Sequence, residues 1–205
     1  NVVESSDGTL YFTESTDRFH YEQYKGAVIE ARGSGSLFRR SPDGAVSVLA
    51  SGLHFANGVT LTADESAVVF AETTGCRLSK YWLTGPQAGT ITPLVSELPG
   101  YPDNISTGAD GRIWVAMVAG RNAFNEWLAP RAPVLRKLLW RLPYRWFPNP
   151  ERAVWVIAFD ADDGRVLTQF RTTHPHFGVV TGVVEVGDRL WLASIGFPAV
   201  AYLTL

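Results

Sequence analysis

Short apolar runs alternate with acidic or glycine-bearing turns along most of this chain, and the order of runs and turns repeats. The Asp7-Gly8 turn leads into Thr9-Leu10-Tyr11-Phe12-Thr13, a run rich in strand-favouring residues. Ser36 to Arg40, the Ser41-Pro42-Asp43-Gly44 turn and Ala45 to Leu49 read as a hairpin. Phe55-Ala56-Asn57-Gly58-Val59 opens a strand over 55–61, and Ala63-Asp64-Glu65-Ser66 turns into the apolar run Ala67 to Glu72. Strands over 77–83 and 91–95 follow, on either side of Gly85-Pro86. After Leu98-Pro99-Gly100 the order starts again with 101–107, the Ala109-Asp110-Gly111 turn and 112–116. A last round runs from Val179 to Glu185, turns at Gly187-Asp188 and enters Arg189 to Ala193. The stretch from Ser15 to Gly35 carries Tyr21, Tyr24 and mixed charges with little periodicity, and is expected to be a loop.

Asp7, Asp64 and Asp110 take the same place in this order, 57 and 46 residues apart, and Asp188 follows 78 residues later. An inserted segment near 125–150 accounts for the long last interval. A repeat of about 45 to 55 residues built from four short strands is a propeller signature, because sandwich strands carry no such repeat. The pattern therefore predicts an all-β propeller of about three and a half blades, near 1–51, 52–98, 99–173 and 174–205. Propellers close with about 4 to 8 blades. With a start at Asn1 directly in strand-like sequence, the expectation is an N-terminally incomplete chain whose targeting information lies elsewhere.

The insertion has its own pattern. Between Trp127 and Pro150 stand five basic residues, Arg131, Arg136, Lys137, Arg141 and Arg145, and no acidic one. At helical spacing Val134, Leu135, Leu138, Leu139 and Leu142 share one face, opposite Arg136, Lys137 and Arg141. Pro133 suits a helix start and Pro143 a stop, which predicts a basic amphipathic helix within 128–149. With Trp127, Trp140, Trp146 and Phe147 around it, such a helix suits packing on the propeller, a lid over the channel mouth, or a peripheral membrane contact.

Composition narrows the field. With 205 residues, 46% hydrophobic and 19% charged, the chain can bury a core, and a net charge of −2 offers no basic footprint for nucleic acid. Cys76 is the single cysteine and sits in no zinc-ligand spacing, so it reads as a small packed residue. No window has the roughly 18 consecutive apolar residues of a membrane span. The compartment is left open between soluble and peripheral membrane.

Candidate chemistry lies where the first strand of each blade would line the central channel. Asn1, Asn57 and Asp103 occupy equivalent starts, with Asn104 beside Asp103. Side-chain oxygens converging from several blades, mostly neutral with one carboxylate, suit Ca2+, which takes about 6 to 8 oxygen ligands. Zinc is disfavoured because no His or Cys accompanies them. His54 precedes the motif and reads as a rim or packing residue, His174-Pro175-His176 as a loop, and His20 is given no role. Asn104-Ile105-Ser106 matches a glycosylation sequon, but a strand lining a channel is a poor acceptor.

Phe55-Ala56-Asn57-Gly58-Val59 with its acidic turn, Tyr81-Trp82-Leu83-Thr84-Gly85-Pro86, and Leu98-Pro99-Gly100-Tyr101-Pro102-Asp103-Asn104-Ile105 resemble the strictosidine synthase-like proteins over nearly the whole chain. That group includes the adipocyte plasma membrane-associated protein and is more distantly similar to paraoxonases and senescence-marker-type gluconolactonases. The resemblance implies a six-bladed propeller with Ca2+ near its axis. Asn57 and Asp103 match family metal ligands, Asn104 matches a ligand of the paraoxonase branch, and Asn1 matches the asparagine of the preceding blade. The glutamate that completes the family's site belongs to an early blade that this chain lacks.

The catalytic glutamate of true strictosidine synthases would fall at Thr181 or Gly182, neither of which transfers a proton, while Glu185 matches a solvent-side glutamate. A lyase of that type is therefore disfavoured. The expectation is a Ca2+-dependent hydrolase of small-molecule esters or lactones, arylesterase- or lactonase-like, with Asp103 as ligand and as general base or nucleophile. The rival is a non-catalytic propeller that binds a partner or a membrane surface through its insertion.

Overall fold

The computed structural model describes residues 1–30, 32–122, 126, 134, 138, 140–143, 146 and 151–205. They form four blades of a β-propeller. The first blade holds β1 (Val2–Glu4), β2 (Leu10–Glu14), β3 (Gly35–Arg40) and β4 (Val46–Leu53). The second holds β5 (Ala56–Leu61), β6 (Ala67–Glu72), β7 (Arg77–Trp82) and β8 (Ile91–Val95). The third holds β9 (Gly100–Thr107), β10 (Ile113–Gly120), β11 (Ala153–Phe159) and β12 (Val166–Thr173), and the fourth β13 (Val180–Val186), β14 (Arg189–Ser194) and β15 (Val200–Thr204). Strands pair antiparallel in chain order within each blade, and β1, β5, β9 and β13 pack side by side as the inner strands.

The apolar runs explain this stacking. A middle strand is covered on both faces by neighbouring blades, so it reads as continuous apolar sequence instead of alternating. Every residue of β6 and β11 is buried, as is β10 from Ile113 to Met117. Three clusters fill the gaps between blades: Tyr11, Leu37, Val59 and Phe70 between the first two, Leu78, Ile113, Trp155 and Phe159 between the next two, and Trp114, Val156, Val183 and Leu190 between the last two. The outer strand β12 is mostly exposed.

The repeated acidic turns have a common physical cause. Asp7, Asp64 and Asp110 each accept the main-chain N–H two residues on, from Thr9 at 2.9 Å, Ser66 at 3.1 Å and Arg112 at 3.2 Å. The residue after each aspartate has positive φ, namely Gly8, Glu65 and Gly111. The fourth turn differs from the expected repeat. Gly187 (φ 61) and Asp188 form a two-residue loop between Val186 and Arg189, so the aspartate follows the positive-φ residue instead of preceding it, and its carbonyl accepts the N–H of Leu205 at 2.9 Å.

Carboxylates tie adjacent blades together near these turns. Glu65 accepts the N–H of Ser6 at 2.9 Å and its hydroxyl at 2.7 Å. Glu185 accepts the indole N–H of Trp114 at 2.5 Å and the N–H of Ala109 at 3.4 Å.

The expected loop over Ser15–Gly35 is instead partly helical, with a 3-10 turn (Tyr21–Gln23) running into α1 (Tyr24–Glu30). Its sequence lacks a marked apolar stripe because a distant contact supplies the packing. Phe19 meets Trp140 of the insertion edge to face, with ring centroids 5.6 Å apart. Gly26 is needed between them, since a Cβ there would stand 2.4 Å from the Phe19 ring and 3.0 Å from Trp140.

Within the insertion Val134, Leu138 and Trp140 are helical. Val134, Leu138 and Leu142, from the predicted apolar face, are exposed, and so is Trp146. Leu135 and Leu139, Trp127 and Phe147, and Arg131, Arg136, Lys137 and Arg145 lie outside the described residues. No helix among the described residues is long and apolar enough to cross a membrane.

Candidate axial site

The inner strands bring the four oxygen-bearing candidates together. Gly58 lets β5 press against β9: a Cβ there would lie 2.5 Å from the nitrogen of Ile105 and 2.6 Å from the carbonyl oxygen of Asp103. Asn57, one residue earlier, thereby reaches Asp103 and hydrogen-bonds to its carboxylate. On the other side Asn1 Nδ2 donates to Asn104 Oδ1 at 2.5 Å, across the first and third blades. Asn1 Oδ1 accepts the N–H of Val2 at 2.8 Å.

A second ring of hydroxyls holds these strands. Thr73, which follows β6, accepts Asn57 Nδ2 at 3.2 Å and donates to the carbonyl of Pro102 at 2.7 Å. Thr13 donates to the carbonyl of Asn57, and Ser15 to that of Ala56 at 2.8 Å. At the entry to β5, Glu72 is buried and accepts the N–H of His54 at 2.8 Å and two bonds from Arg77 at 2.6 and 2.8 Å. Phe55, next to it, takes a left-handed conformation (φ 57). A non-glycine residue held there stores strain at the start of the motif.

The cluster lies in a cavity of about 700 Å³. Its polar wall holds Asn57, Thr73, Thr74, Asp103, Asn104 and Thr181, with Ser15, Asn122 and the charged Lys25, Arg121 and Glu151 also lining it. Phe55, Tyr101, Val118 and Ile195 supply apolar surface, and α1 contributes Tyr24, Val28 and Ile29. The size suits a small molecule.

Asp103 is the carboxylate of the cluster, and its pKa is pushed up to about 7. Burial is the main cause, outweighing the hydrogen bond from Asn57. A carboxylate so placed is a proton acceptor poised near neutrality, or a ligand that a cation would stabilise as the anion.

The donor set fits a hard cation. Thr73 and Asp103 engage the Asn57 Nδ2 group, which leaves Oδ1 as the atom available to a metal. The side-chain oxygens of Asn57, Asp103, Asn104 and Asn1 are of the type Ca2+ prefers; Asn104 Oδ1 already accepts Asn1 Nδ2 and Asn1 Oδ1 the N–H of Val2, so each of those two has one lone pair left for a cation. Among the described residues no three of His, Cys, Asp and Glu gather as a metal group.

The remaining candidates fall elsewhere. Thr181 lines the cavity, whereas the α-carbon of Gly182 points at Ala193, 3.1 Å from where its Cβ would be. Glu185 is occupied by Trp114 outside the channel. His54 is half-buried and absent from the described cavity wall, and His174 and His176 are exposed in their turn, where His174 Nδ1 accepts the N–H of His176 at 3.2 Å. Burial raises the Cys76 thiol to about 11, which makes it inert as a nucleophile at neutral pH. Thr13, Thr73 and α1 carry no sequence signal of their own. Their roles depend on which strands and side chains the fold sets beside them.

Residues 2–86 match the strictosidine synthase family. Strictosidine synthase-like protein 10 of Arabidopsis thaliana is 38% identical over 208 residues, covering 96% of this chain and 54% of the relative. The chain thus spans about half the length of that curated relative. Among solved structures, a gluconolactonase from Xanthomonas campestris superposes with a TM-score of 0.62 at 17% identity, covering 99% of this chain and 55% of the other. A calcium-binding regucalcin from Agrobacterium tumefaciens superposes at 0.61 and 18% identity, covering 97% and 53%. At such identities these two likenesses speak for the propeller fold.

Proposed function

The chain belongs to the strictosidine synthase-like family, and from that premise we propose that it is a Ca2+-dependent hydrolase of esters or lactones on a propeller of the six-bladed type. The observation that carries this reading is the convergence of Asn57, Asp103 and Asn104 in the wall of a largely apolar cavity, with Asn1 bonded to Asn104 behind them and an Asp103 carboxylate whose pKa is pushed up to about 7. Support also comes from the neighbours: one is named a gluconolactonase, the other a calcium-binding protein.

Asn57, Asp103, Asn104 and Asn1 would hold the cation. When bound, Ca2+ supplies a Lewis acid that polarises the substrate carbonyl and stabilises negative charge on its oxygen. Asp103 holds the proton-accepting or nucleophilic oxygen at the scissile centre. Asn57 orients that carboxylate through its amide. Phe55, Tyr101, Val28 and Ile29 surround the acyl or aryl part of the substrate and exclude water.

Thr181 stands in the cavity without the proton-transfer chemistry of a glutamate, which weighs against amine-aldehyde condensation. The test is hydrolysis of a panel of aryl esters and lactones with and without a chelator. Activity that a chelator abolishes and Ca2+ restores supports the reading. A folded protein that binds Ca2+ and hydrolyses none of them favours a non-catalytic propeller.

A second reading concerns the surface. Val134, Leu138, Leu142 and Trp146 are exposed, while Trp140 turns inward against Phe19. We propose that these outward residues of the basic Trp127–Pro150 segment make a peripheral contact with an anionic membrane beside the channel mouth.

A further inference from the structure

We propose that Thr73 is a positioning residue of the axial site, which sets the orientation of the Asn57 amide and the spacing of the two strands that carry Asn57 and Asp103. The inference rests on the reading of the cluster as a Ca2+ site. A threonine hydroxyl has one proton to give. In Thr73 that proton goes to the carbonyl of Pro102 at 2.7 Å, in the residue directly before Asp103. Toward Asn57, 3.2 Å away, the same oxygen can therefore only accept, so the amide must present Nδ2 to Thr73 and keep Oδ1 for the cation. Thr73 is buried, so water does not replace the hydroxyl freely.

The neighbouring blades supply an internal comparison. Thr13, at the end of the second strand of the first blade, donates to the carbonyl of Asn57 in the next blade, as Thr73 donates to that of Pro102. Both hydroxyls thus brace the next inner strand beside a ligand candidate. In the third blade the corresponding stretch is Ala116-Met117-Val118-Ala119, without a hydroxyl, and the inner strand it faces carries Thr181 in place of a ligand. The bracing hydroxyl goes with the ligand, not with the blade architecture. An outer group that orients a metal ligand commonly changes affinity by about 10- to 100-fold when removed.

The experiment measures Ca2+ affinity by calorimetry on the intact protein, its Thr73→Val and Thr73→Ser variants, and Thr13→Val, with thermal melts of each in chelator. Thr73→Val is expected to weaken Ca2+ binding by about 10-fold or more while Thr73→Ser stays within about threefold. Equal affinity in Thr73→Val and the unaltered protein overturns the inference. So does a Thr73→Ser variant that is folded and as weak as Thr73→Val, since the hydroxyl then is not what matters. If Thr73→Val does not fold, Thr13→Val carries the test, with the same loss expected and unchanged affinity overturning the bracing role. An unaltered protein that binds no Ca2+ overturns the metal reading itself, and the inference falls with it.

Discussion

Gly58 lies so close to Asp103 that a Cβ on the glycine would sit 2.6 Å from the aspartate's carbonyl oxygen. The contact is backbone against backbone, so no side chain can swing aside to relieve it. Gly58→Ala must push β5 and β9 apart. Overpacking of this kind costs about 1–3 kcal/mol. We expect a lowered melting temperature together with a loss of Ca2+ affinity, because Asn57 and Asp103 separate by the same movement. A Gly58→Ala protein with unchanged Ca2+ binding by calorimetry would show that the two strands need not approach this closely for the site to form.

The pKa of Asp103 gives a pH signature with a definite sign. Its folded value of about 7 stands above the ordinary 3.8, so between those values the folded metal-free protein holds a proton that the unfolded chain releases. The stabilising contribution is complete below about 3.8 and is lost as pH rises toward about 7. Ca2+ reverses this, because it binds the anion: affinity should rise with pH up to about 7 and then level off. Calorimetric titrations from pH 5.5 to 8.5 check the slope, and Asp103→Asn should abolish it. A flat profile in the unaltered protein counts against Asp103 as a ligand.

Glu72 predicts the opposite behaviour in acid. Its burial works against ionisation, but the two bonds from Arg77 and the N–H of His54 prevail and hold its pKa below the usual value. Stability from this group is present above its unfolded pKa and disappears as pH falls through the lowered folded value. Replacing Glu72 by Gln leaves the Arg77 charge without its partner and should cost about 2–3 kcal/mol. That is below the range for fully buried pairs because Arg77 is 42% exposed. Chemical denaturation at pH 7 and pH 3 checks both statements: the difference between the proteins should shrink at the lower pH.

These contrasts explain what could be read from the sequence. The Asp7, Asp64 and Asp110 turns were legible because each bond closes within two residues. The apolar runs of β6 and β10 were legible because burial on both faces leaves no alternation. Asn57 and Asp103 stood out as polar interruptions in such strands. Thr73 did not, since a threonine beside a turn is ordinary until β9 is laid against it. Helix α1 was hidden for a similar reason: its support comes from Phe19 and Trp140, far apart in the chain.

The exposed side of the insertion leads to the last prediction. Val134, Leu138 and Leu142 follow at four-residue intervals and are 70%, 51% and 41% exposed, with Trp146 at 64%. At helical spacing Val134 and Leu138 would share a face, and these residues are exposed while Trp140 packs on Phe19. Five basic residues and no acidic one between Trp127 and Pro150 favour an anionic surface over a neutral one. Polar replacements of Val134, Leu138, Leu142 and Trp146 remove apolar area without touching the axial site. Flotation with vesicles of phosphatidylserine and phosphatidylcholine should show binding by the unaltered protein that high salt weakens, and a loss of about tenfold or more in the variant, equivalent to about 1.4 kcal/mol. Equal flotation of the two proteins would remove the insertion from any membrane role, leaving the packing of Trp140 on Phe19 beside Gly26 of α1 as what the segment contributes.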